Sequence, residues 1–201
     1  MPLGSTFYDY IMDLACRGII SGYPDGTFRP GNNVTRGQLA KIVSNAAGFE
    51  DAIAGQTYTD VPEGSTFWLW IERLTLHQAI SGYPCGGPAE PCDNQNHHYF
   101  RPSANATRGQ IAKIALLVAV ETQGWTLLNP TDNTFEDVAP NSTFYQYIET
   151  AYAHNVLNGY PCDVPPAGVC IPPANKPYFL PNNNATRGQT SKIIDIAFPL
   201  P

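Results

Sequence analysis

The chain has 201 residues, 43% of them hydrophobic and 11% aromatic, enough to bury a sizeable core in one or two domains. A formal charge of −6, with 11 scattered Lys and Arg, excludes a general nucleic-acid binder. No apolar run approaches the roughly 18 residues of a membrane span, and Met1-Pro2-Leu3 is no signal peptide, so any export depends on something outside this stretch.

The first element starts after Ser5, where Phe7, Ile11 and Leu14 have helical spacing. Ser5 stands where an N-cap belongs, and a stop is expected near Gly18, just after the basic Arg17. A turn, "SGYPDG" from Ser21, follows, and then "NNVTRGQLAKI" from Asn32. Thr35 is expected to cap a second helix, with Gln38 reaching back to the N–H of the cap, which makes a capping box. The same order then returns twice. "GSTFWLWI" from Gly64 and "NSTFYQYI" from Asn141 repeat "GSTFYDYI" from Gly4, with Ser65 and Ser142 as caps and stops near Gln78 and Asn155. "ANATRGQIAKI" from Ala104 and "NNATRGQTSKI" from Asn183 repeat the second helix, with boxes Thr107 with Gln110 and Thr186 with Gln189. His77 and His154 take the place of Arg17, where a cation suits the end of a helix dipole better than it suits catalysis.

The second and third copies are longer between turn and cap, and the extra residues hold the cysteines. Cys85 and Cys92 enclose "GGPAEP", and Cys162 and Cys170 enclose "DVPPAGV". Both pairs read as local disulfides of an oxidising, extracellular setting; the rival is a zinc site of Cys85, Cys92, His97 and His98, which leaves the second pair unexplained. Cys16, left over, aligns with Leu76 and Ala153 and is expected to be a small buried hydrophobe. The arginine of the repeated motif does not follow from capping, because a cation opposes the dipole at a helix start. Arg36, Arg108 and Arg187 either pair with a carboxylate inside the fold or reach an anionic ligand beside free helix N–H groups.

The pattern Phe-x-x-x-Ile, then Gly-Ile-Ile-x-Gly-Tyr-x-Asp-Gly-x-Phe-x-Pro, then Thr-Arg-x-x, resembles the S-layer homology domain of bacterial surface proteins, in three copies over nearly the whole chain. The resemblance implies a mainly α fold, three helix-loop-helix repeats in a pseudo-threefold bundle, here with long disulfide-stapled loops in repeats 2 and 3. One domain over 1–201 would hold repeat 1 at 4–49, repeat 2 at 56–120 and repeat 3 at 133–198. "TYTDVP" and "TFEDVA" lead into the later copies, whereas repeat 1 begins directly at Gly4 and is expected to be a shortened copy, trimmed by processing or cut from a longer surface protein.

In function, the resemblance implies a non-catalytic anchor at the cell surface that binds anionic secondary cell-wall polysaccharide, often pyruvylated, in grooves between copies. The family's ligand-contacting arginine matches Arg36, Arg108 and Arg187. Two departures stand out against its Thr-Arg-Ala-Glu signature. Gly37, Gly109 and Gly188 replace Ala, and Gln38, Gln110 and Gln189 replace Glu, which keeps the cap and removes a charge beside each arginine. Tyr23, Tyr83 and Tyr160 offer faces for a sugar to stack on, or simply pack over their turns. Leu180 stands where the other copies have Arg29 and Arg101, so the third groove, and with it Arg187, is expected to matter least. The alternative function is a subunit of a surface layer, sheath or filament that contacts copies of itself or other surface proteins. No nucleophile with a partner histidine recurs, Asp60 and Asp137 read as turn or cap residues, and no metal or cofactor is called for. The sequons at Asn33, Asn105, Asn141 and Asn184 follow mostly from the capping threonines.

Overall fold

The computed structural model describes residues 2–199. Among them are six helices and no strand: α1 Tyr8–Cys16, α2 Arg36–Ala46, α3 Trp68–Leu76, α4 Arg108–Gln123, α5 Tyr145–Ala153 and α6 Arg187–Ala197. None is long and apolar enough to cross a membrane.

The odd-numbered helices start later than the serines suggest. Their N-caps are Phe7, Phe67 and Phe144, without a side-chain cap. Ser5, Ser65 and Ser142 contribute instead a backbone carbonyl that accepts from Tyr8, Trp68 and Tyr145, a turn that leads into the helix. The phenylalanines occupy the cap position because their rings are needed elsewhere, as shown below. The helices end where expected, and Gly18, Gln78 and Asn155 all take positive φ, so Gln78 adopts a conformation that favours Gly or Asn. Cys16 is exposed, contrary to its expected burial, because it lies at the last position of α1 beyond the buried Ile11 and Leu14.

Each even-numbered helix packs on the odd-numbered helix of the following repeat: α2 on α3, α4 on α5, and α6 back on α1. The three even-numbered helices also touch one another. Where they start, their lead residues close a hydrogen-bonded triangle: Val34 N–H donates to Ala185 O, Ala185 N–H to Ala106 O, and Ala106 N–H to Val34 O. All three side chains are sealed from solvent. The chain closes on itself through its first and third copies, so terminal repeats have no free stacking face.

The joints between copies differ in detail. His77 lies flat on Phe49 at 3.6 Å between centroids, and His154 on Trp125 at 3.9 Å. At the closing joint Arg17 donates to Phe198 O at 2.7 Å and pairs with Asp13 at 3.0 Å. Disulfides Cys85–Cys92 and Cys162–Cys170 staple the two long loops. No cluster of metal-binding side chains occurs among the described residues, and His97 is bound to Asp93.

Candidate functional site

The thrice-repeated Thr-Arg-Gly-Gln motif spends each residue differently. Thr35 Oγ1 accepts from Gln38 N–H and Gln38 Oε1 accepts from Thr35 N–H; the pairs Thr107 with Gln110 and Thr186 with Gln189 do the same. The two N–H groups left over at each helix start are also taken. Arg36 N–H donates to Ala104 O and Gly37 N–H to Pro102 O, Arg108 and Gly109 donate to Asn183 O and Pro181 O, and Arg187 and Gly188 to Asn32 O and Pro30 O. The starts of α2, α4 and α6 therefore offer no free N–H groups to an anion, contrary to the expectation for the arginines at those starts.

The glycines answer to the phenylalanines. A Cβ on Gly37 would stand 2.5 Å from the Phe67 ring, one on Gly109 2.6 Å from Phe144, and one on Gly188 2.4 Å from Phe7. Alanine is excluded because the ring that starts the next repeat's helix lies directly on the backbone.

The arginines are not surface groups. Arg36 and Arg108 are 6% exposed and Arg187 9%. Each reaches into the following repeat. Arg36 Nε donates to Phe100 O at 2.8 Å, Arg108 Nε to Phe179 O at 2.8 Å, and Arg187 Nε to Phe28 O at 3.0 Å. Nη2 of Arg108 and Arg187 adds bonds to Asn158 O and Ser21 O. Among the described residues none forms a salt bridge, so an internal carboxylate is not what holds them. Burial lowers the pKa of all three from the guanidinium's ordinary value, partly opposed by Tyr83 and Tyr58 at Arg36, by Tyr160 at Arg108 and by Tyr23 at Arg187. A desolvated cation without a counterion favours an incoming anion.

Each arginine lines one groove, and three copies contribute to it. The groove at Tyr83, about 390 Å³, joins Arg36 of repeat 1 to Gln110 and Lys113 of repeat 2 and Phe144 and Tyr147 of repeat 3. That at Tyr160, about 250 Å³, joins Arg108, Gln189 and Lys192 to Phe7. That at Tyr23, about 200 Å³, joins Arg187, Gln38 and Lys41 to Phe67. Leu180 and Arg187 thus belong to different grooves. The leucine follows Phe179, whose carbonyl holds Arg108, while Arg187 crosses to Phe28 and Tyr23. The expectation that Arg187 matters least rested on the wrong pairing.

Nor does Leu180 leave its groove short of charge. Arg29 is ion-paired with Asp25 at 2.6 Å, and Arg101 holds Glu90 through two bonds of 2.7 Å. Those arginines are neutralised locally, so each groove keeps two unpaired cations. The second is a lysine that capping and periodicity do not single out. Lys41 lies 4.4 Å from the Trp70 ring, Lys113 5.7 Å from Tyr147 and Lys192 5.8 Å from Tyr10, and none has an acidic partner among the described residues. The signal was its fixed place in "GQxxKI", opposite an aromatic residue just before Ile11, Ile71 and Ile148.

The tyrosines sit half-buried beside the cations. Arg29 and Arg187 both approach the Tyr23 ring, at 4.3 and 5.1 Å, and Arg101 and Arg36 the Tyr83 ring, at 4.0 and 5.0 Å. Tyr160 has Arg108 alone, at 5.0 Å, which leaves its ring the most available of the three. Gln110 and Gln189 donate to the Tyr83 and Tyr160 hydroxyls at 3.0 and 2.8 Å, tying the capping box to the groove.

The family model of the S-layer homology domain matches residues 4–40 and 134–164. Cell surface glycoprotein 1 of Acetivibrio thermocellus is 26% identical over 156 residues, 72% of this chain and 6% of that protein. An endoglucanase of Bacillus sp. (strain KSM-635) is 25% identical over 191 residues, 94% of this chain and 17% of the enzyme. The cellulosome-anchoring protein of Acetivibrio thermocellus is 25% identical over 146 residues, 71% of this chain and 30% of that protein. The chain therefore spans less than a third of the length of each of these relatives. The match to the family model falls in two separate segments of the chain, one in the first copy and one in the third.

Proposed function

We propose that this chain, with its S-layer homology segments, is a non-catalytic module that attaches a protein to the bacterial cell envelope by gripping anionic cell-wall polysaccharide in the grooves between its repeats. The single observation that carries the reading is the pair of cations in each groove. A buried arginine and a lysine face the same space without a carboxylate, in a chain whose overall charge is −6. A polymer drawn to such a chain is attracted locally, by geometry and not by net charge. The three copies are read as turned about a pseudo-threefold axis through Val34, Ala106 and Ala185, which makes the grooves equivalents of one another. Two disulfides suit an extracellular, oxidising place at the cell surface. Relatives named for the cell surface and for anchoring support the attachment role, and the small share of each that is matched supports a module joined to varied cargo.

Within a groove, the arginine is both strut and ligand. Nε is committed to the neighbouring carbonyl, while Nη1 has no acceptor among the described residues and is not sealed from solvent, so it is the atom left for a carboxylate or phosphate of the polymer. The lysine supplies a second, mobile donor, and the tyrosine edge limits where a sugar ring sits.

The test is a binding isotherm on purified cell-wall sacculi, with and without their polymer, beside a melting curve. Replacing Lys41, Lys113 and Lys192 together by Gln should weaken binding at least about tenfold with little change in melting, since their ammonium groups hold nothing inside the fold. Arg36→Gln should lower binding and also the melting temperature, because Phe100 O loses its donor. Equal binding to sacculi stripped of polymer would sink the reading. A second reading, a subunit of a surface layer, sheath or filament, is favoured by Val164, Val169 and Ile171, all exposed on the stapled loop of repeat 3. Concentration-dependent association of the purified chain without polymer would support it.

A further inference from the structure

In repeat 3 the charged groove is continuous with a second hollow. The groove at Tyr160 and a neighbouring space of about 400 Å³ share Asn158 and Gly159 as lining. Tyr152, Pro161, Cys162, Asn175 and Pro177 complete the second space, which is larger than the 250 Å³ of the groove itself. Its walls are fixed before anything binds. Tyr160 and Tyr178 exchange backbone hydrogen bonds at 2.7 and 2.9 Å, Glu136 N–H donates to Pro177 O at 2.9 Å, and a disulfide holds Cys162 to Cys170.

No charged residue lines this space. Asn158 and Asn175 are exposed, and their backbones are bonded: Asn158 O accepts from Arg108, and Asn175 N–H donates to Ile171 O. Their carboxamides have no partner among the described residues. Tyr152 is 42% exposed, with its ring set T-shaped against the buried Phe135 at 5.4 Å, and its hydroxyl is likewise without a partner there. Repeat 2 uses the equivalent places otherwise. Thr75 stands for Tyr152 and bonds the Tyr58 hydroxyl at 2.9 Å, Ser81 stands for Asn158, and the stapled loop carries the pairs Asp93 with His97 and Glu90 with Arg101. Unengaged carboxamides and a phenol suit an occupant rich in hydroxyl groups, since a hydrocarbon would leave them unsatisfied. An anion is disfavoured, because no cation offsets its loss of water.

We infer that this hollow is a second subsite of the Tyr160 groove, and that it takes a neutral sugar unit of the polysaccharide whose charged unit lies at Arg108 and Lys192. The inference rests on the anchoring function proposed above and adds a preference to it. The Asn158 and Asn175 carboxamides exchange hydrogen bonds with the sugar hydroxyls, and Tyr152 covers an apolar part of the ring. Repeat 3 then recognises the length of the polymer as well as its charge.

The probe is polymer released from purified sacculi and separated by length. It is titrated by calorimetry into the full chain in a Lys41→Gln, Lys113→Gln background that weakens the other two grooves. Adding Tyr152→Thr with Asn175→Gly should weaken long fragments about tenfold and leave the shortest binding fragment unchanged. The salt dependence should stay as it was, because no charge is removed. Threonine is the residue of repeat 2, and glycine accepts the φ of 47° at Asn175, so the fold is kept. A readout without substitution comes from NMR, where long fragments, and not the shortest, should shift the side-chain amide signals of Asn158 and Asn175. Long fragments that saturate the chain without moving those signals would overturn the subsite. So would long fragments that bind the double variant as well as its parent, or an equal loss at every length. Lys192→Gln should weaken every length. No effect there would overturn the charged groove and the subsite with it, whereas a failure of the subsite alone leaves the Lys192 effect standing.

Discussion

Repeat 1 and repeat 3 perform the same fold with different materials. In repeat 3 the segment from turn to cap is long, and it is fixed by a disulfide, by Asp137 on two backbone N–H groups and by the Thr134 clamp on Glu149. In repeat 1 the turn is short, and beside the backbone bonds of Tyr23 with Thr27 and Gly26 it is closed by Asp25, which accepts from Thr27 N–H at 3.0 Å and from its hydroxyl at 2.6 Å and pairs with Arg29. Both arrangements bring the residue after the core phenylalanine into a left-handed backbone, Arg29 at φ 55° and Leu180 at φ 60°. For a leucine that conformation is costly, and Asp137 supplies the compensation. A loop of this design needs external clamps in proportion to its length, since each added residue is one more to immobilise.

The largest effect that separates the two copies should come from the buried carboxylate. Glu149 is 4% exposed and takes both hydrogen bonds of Thr134, so Glu149→Ala should cost about 3 kcal/mol and leave a threonine N–H without an acceptor. Met12→Ala, at the equivalent place, should change stability by less than about 0.5 kcal/mol. Urea unfolding of both variants decides it, and a similar loss at both positions would show that Met12 already packs against something.

Much of this contrast can be read in sequence, and some cannot. The exchange between Thr35 and Gln38 is local, closing within three residues, and spacing alone is enough to propose it. Short loops between cysteines constrain a disulfide in the same way. What spacing misses is any contact made with the next copy. Arg36 looks like an unpaired cation because its acceptor, Phe100 O, lies in another repeat, and Gly37 looks like a loosened signature because the ring that forbids alanine belongs to Phe67. Leu180 lies near Arg187 in sequence, while in the fold its neighbour Phe179 offers its carbonyl to Arg108. Ser5, Ser65 and Ser142 are reasonable caps locally, but their helices begin at the phenylalanines that seat on those glycines.

The closing joint between repeats 3 and 1 offers a second, smaller contrast. The other joints stack His77 on Phe49 and His154 on Trp125, whereas this one sets Asp195 beside Asp13 and Arg17, with Asp195 Oδ1 buried and lacking a hydrogen bond among the described residues. Burial, then the hydrogen bond and charge of Asp13, push the Asp195 pKa up to about 7, so that below this pH the pair is expected to hold one proton between its two carboxyls. Because the folded value is raised, the stabilisation is complete below the ordinary carboxylate range and is lost as pH rises through about 7. The loss should be about 2 kcal/mol after allowing for partial exposure. Asp195→Asn, which mimics the protonated form, should reduce the fall in melting temperature between pH 5 and 8. A residual slope of the same sign should remain from His77: burial lowers its pKa, but hydrogen bonds with Asp51 and Glu121 outweigh that and raise it above 6.5. An unaltered pH profile in the Asn variant would show that the carboxyl pair carries no proton.

The smallest effect lies where the copies agree. Thr35 Oγ1 accepts from Gln38 N–H at 3.3 Å, Thr107 from Gln110 at 3.4 Å and Thr186 from Gln189 at 3.3 Å, lengths that mark modest bonds. Thr35→Ala should therefore cost about 1 kcal/mol and Thr35→Ser almost nothing, because the hydroxyl and not the methyl group satisfies the helix start. The other arm tells the copies apart. Gln110 and Gln189 also hold the Tyr83 and Tyr160 hydroxyls, so Gln110→Ala removes a bond to a groove tyrosine as well as a cap, while Gln38, which lines the Tyr23 groove, makes no such bond among the described residues. The difference should be about 0.5 to 1 kcal/mol in chemical unfolding. It should also appear as a larger loss of polymer affinity in the Gln110 variant than in the Gln38 variant. Equal damage from Thr35→Ser and Thr35→Ala would mean that the methyl contacts hold the motif, and identical behaviour of the two glutamine variants would mean that box and groove are not coupled.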